Sequence, residues 1–455
     1  MVGVSSTDLG TGTRLARRVV GSSSFRSLSH RNFRIFFVTQ TVSFLGTWMQ
    51  LVAQTLLIYR LTGSGTAVGI LTICQFLPTL LLVAWAGAVV DRSDTRRLMT
   101  LSSAVMMVSA LAMGTLAVTG RVTPAAVYVL ATVLGVANTF DGPGRRTLVN
   151  ELVPGEHVSN AVSLSSTIAM GTRIIGPAIA GLLIATVGIG WCFLLNGISF
   201  VVAIAGLWMM DTAALHARPP VPRAPGQVRA GLRYAWRTPP LRQALLLLLA
   251  LGAVSMNFHV TLALYVKIGL GGSDGLYAAL SAVSGVGALV GGLMLARRTM
   301  IDVAFLGWMT LVYAAALGLL ACSPDAWWAL VPLALVGLGQ LGVLASASTV
   351  VQVQSVPSMR GRVLALFTLA TVGANPVGGA VAGWTADRFG AAFTVAYGAL
   401  FTFVLGLATL WAAQRGARTP STPQERNEVQ RNPNDPSTGP RKQRWPSPLR
   451  SAVRT

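Results

Sequence analysis

Long apolar segments constrain this chain more than any other feature of its sequence. A helix needs about 20 apolar residues to cross the hydrocarbon core of a bilayer, and a water-soluble core has no room for many such segments. Hydrophobic residues fill 53% of the 455 positions, whereas charged residues fill 11%. Twelve segments are about long enough, at 33–59, 66–90, 98–119, 124–142, 161–187, 189–210, 243–266, 275–296, 301–322, 326–349, 363–386 and 391–413. The sequence therefore predicts an all-α membrane protein with twelve transmembrane helices.

Basic residues are distributed unevenly among the loops between these spans. Most of the 35 Lys and Arg residues fall in the N-terminal segment, in the tail and in the loops that follow even-numbered spans. The positive-inside rule assigns such regions to the cytoplasm, so both termini should be cytoplasmic. The net charge of +21 then reflects membrane topology, and no nucleic-acid partner is expected. Because nearly all basic residues are arginines and Ala, Gly and Val are abundant, we expect the plasma membrane of a bacterium.

A proline-rich stretch divides the chain into two halves. Residues 212–242 contain six prolines and lie between the sixth and seventh spans. Within this stretch, apolar residues recur at helical spacing beside Arg229, Arg233 and Arg237, which is typical of an amphipathic helix on a membrane surface. We expect a cytoplasmic segment at 1–31, a six-helix bundle at 32–211, a linker at 212–242, a second bundle at 243–413 and a disordered tail at 414–455.

A motif between the second and third spans resembles the signature of the major facilitator superfamily. It reads Gly87-Ala88-Val89-Val90-Asp91-Arg92-Ser93-Asp94-Thr95-Arg96-Arg97, and the superfamily pattern is Gly-x-x-x-Asp-Arg-x-Gly-Arg-Arg. Asp94 and Thr95 depart from that pattern, but an Asp at this place is usual in the enterobactin exporter-like branch of transmembrane secretion effectors. The stretches that also resemble this branch are Gly46-Thr47-Trp48-Met49-Gln50, Gln75-Phe76-Leu77-Pro78, Asn138-Thr139-Phe140-Asp141-Gly142-Pro143-Gly144-Arg145 and Gly176-Pro177-x-x-Ala180-Gly181. The resemblance covers about residues 25–413 and implies two six-helix bundles that move cargo by alternating access.

Charged residues around this motif are candidates for a conformational latch. Asp91 and Arg92 leave the second span at the cytoplasmic surface, where a carboxylate among arginines and helix ends can hold helices together. The candidates are Gly87, Asp91, Arg92, Arg96, Arg97, Asp141, Arg145 and Arg362. A solvated basic loop with no latching role is the alternative, and the resemblance favours the latch.

The fifth span contains a motif of small residues around a proline. Gly176, Pro177 and Gly181 resemble a signature of exporters that are driven by proton antiport, with Ala180 in place of one Gly. A proline kinks a helix, and small residues allow a neighbouring helix to approach closely. Close packing alone is the alternative explanation, so the expectation of export depends mainly on the resemblance.

Polar side chains inside the predicted spans are candidates for a substrate pathway. Lipid cannot satisfy the hydrogen bonds of an amide or a charged side chain, so these groups must face other helices or water. The candidates are Gln50, Gln54, Gln75, Asn138, Arg173, His259 and Asn375. Gln50 and Gln54 share one helical face with other polar residues, which favours a polar cavity. Hydrogen bonding that only holds the helices together is the alternative.

Two of these candidates are ionisable. Arg173 falls near the middle of the fifth span, where burial of its charge costs at least about 2.5 kcal/mol. We expect it to bind an anionic group of the cargo or to act in gating, with a structural ion pair as the alternative. His259 in the seventh span can carry a proton near neutral pH, and a satisfied polar contact is its alternative role.

The sequence carries no motif of an enzyme. It has no Walker loop and no metal-ligand cluster, so we expect neither a cofactor nor a metal. Without ATP chemistry, uphill transport must draw on an ion gradient, with protons as the candidate ion. We expect a monomeric secondary active exporter of small amphiphilic or siderophore-like compounds. An importer of a polar metabolite and a membrane receptor or assembly factor without transport activity are the alternatives.

Overall fold

Membrane-length helices dominate the described part of the chain. The computed structural model describes residues 23–216, 227–298 and 300–418. Within these ranges twelve helical segments are long and apolar enough to cross a membrane, and each overlaps one of the predicted spans. The all-α fold with twelve transmembrane helices in two bundles is thus confirmed. Most of the N-terminal segment, part of the linker and nearly all of the tail lie outside the described residues.

The first six spans form the N-terminal bundle, and a 3-10 helix at Ser23–Ser29 leads into them. The helices are α1 (Arg31–Thr62), α2 (Gly65–Arg92), α3 (Thr95–Val118), α4 (Pro124–Glu151), α5 (Val158–Thr186) and α6 (Ile189–Trp208). The side chains of Ser64, Asp94 and Thr123 accept backbone N–H groups in the first turns of α2, α3 and α4. These caps replace hydrogen bonds that a helix start cannot make within itself, so each span begins at a defined residue.

The C-terminal bundle follows a short surface helix, α7 (Gln227–Arg237), within the predicted linker. The bundle contains α8 (Pro239–Val254), α9 (Phe258–Leu264), α10 (Asp274–Ala296), α11 (Val303–Ala321), α12 (Ala326–Gln354), α13 (Pro357–Gly373), α14 (Asn375–Phe389) and α15 (Ala391–Arg418). In α7, Leu232 and Trp236 are exposed and Ala235 is buried. The seventh span comprises α8 and α9, and the eleventh comprises α13 and α14.

Both of these two-helix spans are interrupted, which the apolar pattern did not predict. In the seventh span α8 ends at Val254 and α9 begins at Phe258, and a π-helical turn at Tyr265–Gly269 follows. The eleventh span breaks at Ala374. An interrupted helix leaves backbone carbonyls that lipid cannot satisfy, so other protein groups must bond to them.

The side chain of Asn257 joins the two interruptions. Its Nδ2 atom donates to the Gly252 carbonyl at 3.1 Å and to the Asn375 carbonyl at 3.2 Å. One buried amide therefore bonds to a carbonyl at the end of α8 and to another at the start of α14. This contact ties the seventh span to the eleventh near the middle of the C-terminal bundle.

Two neighbouring spans bond to two further carbonyls at the interruption of the seventh span. The Tyr313 hydroxyl of α11 donates to the Ser255 carbonyl at 2.7 Å. Gln340 Nε2 of α12 donates to the Met256 carbonyl at 3.1 Å. Helices α11 and α12 thus donate hydrogen bonds to the interruption from two sides. The interruption in turn sets the position of His259, which lies in the turn that follows.

Asn257→Ala should destabilise the protein measurably. The change removes the donor for two carbonyls in a buried place, and each unsatisfied group costs about 1–3 kcal/mol. We expect the melting temperature in detergent to fall by several degrees. Asn138→Ala is the matched control, because the described Asn138 is a half-buried amide with no recorded hydrogen bond. Equal losses in both variants would contradict the role of Asn257.

Candidate functional site

A cavity lies between the two bundles, next to the interruption of the seventh span. Spans 1 and 5 line it from the N-terminal bundle, and spans 7, 8 and 10 line it from the C-terminal bundle. Its volume is about 100 Å³. Its wall consists of Trp48, Leu51, Val52, Arg173, Pro177, Phe258, His259, Leu262, Tyr277, Ser281, Ser284, Gly285, Ala288, Gly337, Gln340, Leu341 and Leu344. Among these wall residues only Arg173 carries a permanent charge.

Arg173 reaches this cavity from α5. Its guanidinium carbon lies 5.2 Å from the centroid of the Trp48 ring, where the ring face attracts a cation. Across the three described ranges, no carboxylate forms an ion pair with Arg173. The structural ion pair that was the alternative is therefore not found there. The charge of Arg173 is available to a group that enters the cavity.

His259 lines the same cavity from α9. Its Nε2 atom is buried and has no hydrogen-bond partner among the described residues. A buried polar atom without a partner is costly, so this nitrogen is suited to bind a ligand or water. When Nε2 carries the proton, it is a donor. Arg173 and His259 then offer an anion one permanent charge and one neutral N–H.

Several wall residues were not predicted from the sequence. Tyr277, Ser281 and Ser284 lie on one face of α10 at helical spacing. That spacing is a sequence signal that could have identified them. Trp48 and Gln340 carry no comparable signal, because large aromatic and single amide side chains in a span also occur at helix contacts.

Three predicted pathway residues lie inside the N-terminal bundle and not on the cavity wall. Gln75 Nε2 donates to Gln54 Oε1 at 2.7 Å, and Asn196 Nδ2 donates to Gln50 Oε1 at 2.6 Å. The polar face of α1 thus meets α2 and α6 and does not meet the cavity. Hydrogen bonding between helices, the alternative interpretation, describes Gln50, Gln54 and Gln75 in this structure. The Nε2 atoms of Gln50 and Gln54 are buried without a recorded partner.

Asn138 and Asn375 are half-buried and are also not part of the cavity wall. Asn375 begins α14, and its backbone carbonyl accepts the Asn257 side chain. Of the predicted pathway residues, the structure therefore brings Arg173 and His259 together at one cavity. For the other five, a pathway role stays a prediction.

The Gly176-Pro177 motif packs the fifth span against two neighbours. α5 continues through Pro177, which lies on the cavity wall. Gly176 faces Trp48, and a Cβ atom on Gly181 would overlap with Ala278 of α10. Close packing, which was the alternative explanation, is thus observed at both glycines. A kink that favours export stays a prediction.

Asp141 and Arg145 form the buried ion pair among the latch candidates. Both belong to α4, which continues to Glu151, well beyond the predicted end of the apolar segment near 142. The Asp141 side chain is 4% exposed and that of Arg145 is 17% exposed. The Arg145 guanidinium also lies 4.0 Å from the centroid of the Phe44 ring on α1.

The arginines after the second span make separate contacts. Arg97 pairs with Asp94 at 3.6 Å, and Asp94 also accepts the Arg97 backbone N–H at 3.0 Å as the cap of α3. Arg96 donates to the Trp208 carbonyl at 3.0 Å. Asp94, which departs from the superfamily pattern, therefore stabilises the start of α3, a role that its position before a helix could have indicated.

Arg92 and Arg362 do not join these ion pairs in the described part of the chain. Arg362 contacts the Met359 sulfur at 3.2 Å within α13, and Arg92 is exposed. Gly87 lies within α2. The side chain of Asp91 lies outside the described part of the chain. The described side chains of the latch candidates make local contacts, and a latch role for these residues and for Asp91 stays a prediction.

A histidine pair lies just before two spans of the N-terminal bundle. His30 Nε2 is 2.9 Å from His157 Nδ1. Burial, followed by the charge of His157, holds the pKa of His30 below its ordinary value. A neutral His30 can share an N–H with His157, so the start of α1 contacts the start of α5 without repulsion between charges.

Comparison with known proteins shows similarity to transporters. Residues 22–436 match the model of a family described as transmembrane secretion effector. The chain is 30% identical to the staphyloferrin A transporter of Staphylococcus aureus over 173 residues, which is 38% of this chain and 43% of that protein. It is 28% identical to the multidrug efflux pump Tap of Mycolicibacterium fortuitum over 371 residues, 76% of this chain and 87% of that protein. It is 25% identical to the enterobactin exporter EntS of Shigella boydii over 406 residues, 86% of this chain and 95% of that protein. The chain thus spans less than half of the first relative's length and most of the other two.

Solved transporter structures share the fold. A bacterial homolog of the human lysosomal transporter Spinster, in an inward-facing and occupied conformation, superposes with a TM-score of 0.68 at 15% identity. That alignment covers 89% of this chain and 100% of the homolog. The nucleoside transporter NupG gives a TM-score of 0.63 at 13% identity, over 84% of this chain and 99% of NupG. Identities at this level establish the fold alone.

Proposed function

Because the chain belongs to the transmembrane secretion effector family of the major facilitator superfamily, we propose that it is a secondary active exporter of small amphiphilic, siderophore-like compounds. It is a multi-pass membrane transporter, and proteins of this family are not enzymes. Two relatives are named for the siderophores enterobactin and staphyloferrin A, and a third for multidrug efflux. The words exporter and efflux pump in the names of the enterobactin and multidrug relatives support export as the direction of transport.

The observation that carries the proposal is the unpaired guanidinium of Arg173 in the cavity between the bundles. Carboxylates and similar oxyanions bind a guanidinium through two parallel hydrogen bonds, which makes Arg173 suited to an anionic cargo. The Trp48 ring and the apolar wall residues would contact the apolar part of an amphiphile. A cationic cargo would meet a like charge with no acidic side chain on the wall to offset it.

The orientation that we propose places both termini in the cytoplasm. The positive-inside rule favours it, because the arginine-rich loops follow even-numbered spans, and such loops belong to one face of a twelve-span chain. We call that face the inner face, and the opposite face, which carries Arg60, Arg121 and Arg388, the outer face. Alternating access then requires the cavity to open to the inner face for loading and to the outer face for release.

A proton gradient is the driving force that we propose. The sequence has no ATP-binding motif, and an ion gradient is the other common source of energy for uphill transport. The cavity wall carries no carboxylate.

Transport into inverted membrane vesicles tests the function. Vesicles that contain the protein should accumulate enterobactin or staphyloferrin A when the lumen is acidic, and dissipation of the pH gradient should stop the accumulation. Vesicles without the protein are the control. Uptake into right-side-out vesicles only would indicate an importer, and absence of flux for both compounds in both orientations would contradict a siderophore-like cargo.

A further inference from the structure

Asp387, near the end of the eleventh span, binds the start of the second span on the outer face. Its carboxylate accepts the backbone N–H of Gly65 at 2.5 Å and that of Thr66 at 2.8 Å. The hydroxyls of Ser64 and Thr66 donate to the same carboxylate, each at 2.7 Å. One side chain of the C-terminal bundle therefore accepts four hydrogen bonds from the N-terminal bundle.

These bonds form a helix cap that one bundle supplies to the other. The first N–H groups of a helix have no partner within the helix, and the helix start carries a partial positive charge. The Ser64 hydroxyl accepts the Ala67 N–H at 3.3 Å, so the N–H groups of Gly65 and Thr66 are left to Asp387. A carboxylate is the side chain that such a position favours. When the bundles separate here, α2 loses an acceptor that no residue of its own bundle replaces among the described contacts.

A second polar contact joins the bundles on the same face. Arg60, near the end of α1, forms an ion pair with Asp274 at the start of α10. Lys267 of the C-terminal bundle also pairs with Asp274, at 2.6 Å. The Asp274 side chain is 6% exposed, so the carboxylate is largely removed from water. Loss of such a carboxylate leaves nearby positive charges uncompensated.

Small residues bring the backbones of the two bundles together beside these contacts. Gly65 faces Gly383, and a Cβ atom on Gly65 would lie 2.7 Å from the Gly383 carbonyl oxygen. One turn deeper, Gly69 faces Ala380 of α14 at similarly short distance. The hydrogen bonds of Asp387 thus lie at the outer rim of a close contact between α2 and α14.

We propose that Asp387 and Asp274 are gating residues of the outer face, and that cargo leaves outward only after both carboxylates have released the N-terminal bundle. Each residue belongs to the C-terminal bundle and binds a group on the other bundle, so both contacts must break when the outer face opens. Neither residue lies on the cavity wall, so they act through the positions of the bundles and not by binding cargo. The inference rests on the proposed function, because a gate has a role only where cargo passes.

The distance between the bundles on the outer face tests this gate in the full-length protein. Spin labels at the exposed native Cys322 and at Arg121→Cys report that distance, in a background with Cys74→Ala and Cys192→Ala. Asp387→Asn replaces a charged acceptor with an amide that presents N–H groups to the donors of α2. We expect the fraction of long distances to rise by at least about fivefold, because charge-assisted hydrogen bonds are lost only in the closed state.

Two further variants separate gating from a general structural effect. Asp387→Glu keeps the carboxylate and should restore most of the closed population. Arg388→Gln removes the charge of the adjacent exposed residue and should leave the distance distribution unchanged. Asp274→Asn should also favour long distances, since Arg60 and Lys267 then repel each other across the contact.

The outcomes are distinct for the gate and for the exporter. Unchanged distances in Asp387→Asn and Asp274→Asn would overturn the gate, as would a lower melting temperature without any change in distance. A shift in Arg388→Gln as large as that in Asp387→Asn would overturn it too. If the wild type transports cargo and the distances do not respond, the gate alone is wrong. If the distances respond but the wild type carries no flux, the exporter function is wrong and the gating role that rests on it is withdrawn.

Discussion

Arg173→Gln should reduce export of an anionic cargo about 10- to 150-fold at low cargo concentration. The guanidinium is the permanent charge on the cavity wall, and a hydrogen bond to a charged group contributes about 1.5–3 kcal/mol, which corresponds to such a factor. The melting temperature should change little, because Arg173 has no ion-pair partner in the described ranges. Arg173→Lys keeps the charge without the planar fork, so its flux should fall between wild type and Arg173→Gln.

Flux and thermal stability measured on the same preparations check this prediction. Arg298→Gln is the matched control, because Arg298 is exposed and also lies against an aromatic ring, 5.1 Å from the centroid of Phe305. It should transport like the wild type. Normal flux in Arg173→Gln would contradict an anion site at this residue. A parallel loss of flux and stability in both Arg173 variants would assign it a structural role instead.

Asp141→Asn should cause a large loss of stability. Asp141 is 4% exposed and Arg145 is 17% exposed, so the substitution leaves a largely buried guanidinium without its counter-ion. Breaking a buried ion pair by removing one partner costs about 3–5 kcal/mol. Arg145 Nη1 has no hydrogen-bond partner among the described residues, so Asp141 and the Phe44 ring are its recorded stabilising contacts.

Melting in detergent, with the exposed pair as a control, tests this expectation. Arg97→Gln breaks a pair whose side chains are 89% and 55% exposed, and pairs of this kind contribute about 0–1 kcal/mol. Asp141→Asn combined with Arg145→Gln should recover part of the lost stability, because the uncompensated charge is removed. A double variant as unstable as Asp141→Asn would show that the charge is not the cause.

The sequence alone determined the architecture of this protein. A bilayer imposes a minimum length on every apolar helix, so the twelve segments could be counted without knowledge of their packing. The distribution of arginines among the loops predicted the orientation of the chain, because the positive-inside rule is also imposed by the membrane. Motifs around Asp91 and Gly176 indicated the superfamily, since they mark helix ends and close contacts that its members share. Arg173 was identified from the sequence because a charge near the middle of the bilayer costs free energy. In the structure this residue lies on the cavity wall.

Only the tertiary structure decided which polar groups meet the cavity. A polar side chain inside a span must avoid lipid, but it can do so against another helix or against water, and the period of 3.6 residues is the same in both cases. Gln50 and Gln75 therefore gave the same sequence signal as a pathway residue, although their amides bond within the N-terminal bundle.

The contacts between bundles were equally beyond the sequence. Asp387 and Gly65 are far apart in the chain, and nothing local shows that a carboxylate near the end of one helix will cap the start of another. The helix break at Ser255 has no signal in the apolar pattern of the seventh span. The side chain that bonds to the free carbonyl there comes from another span and not from neighbouring residues. Which groups become hydrogen-bond partners depends on which distant helices pack together. Neither the thickness of the bilayer nor the local sequence pattern determines that packing.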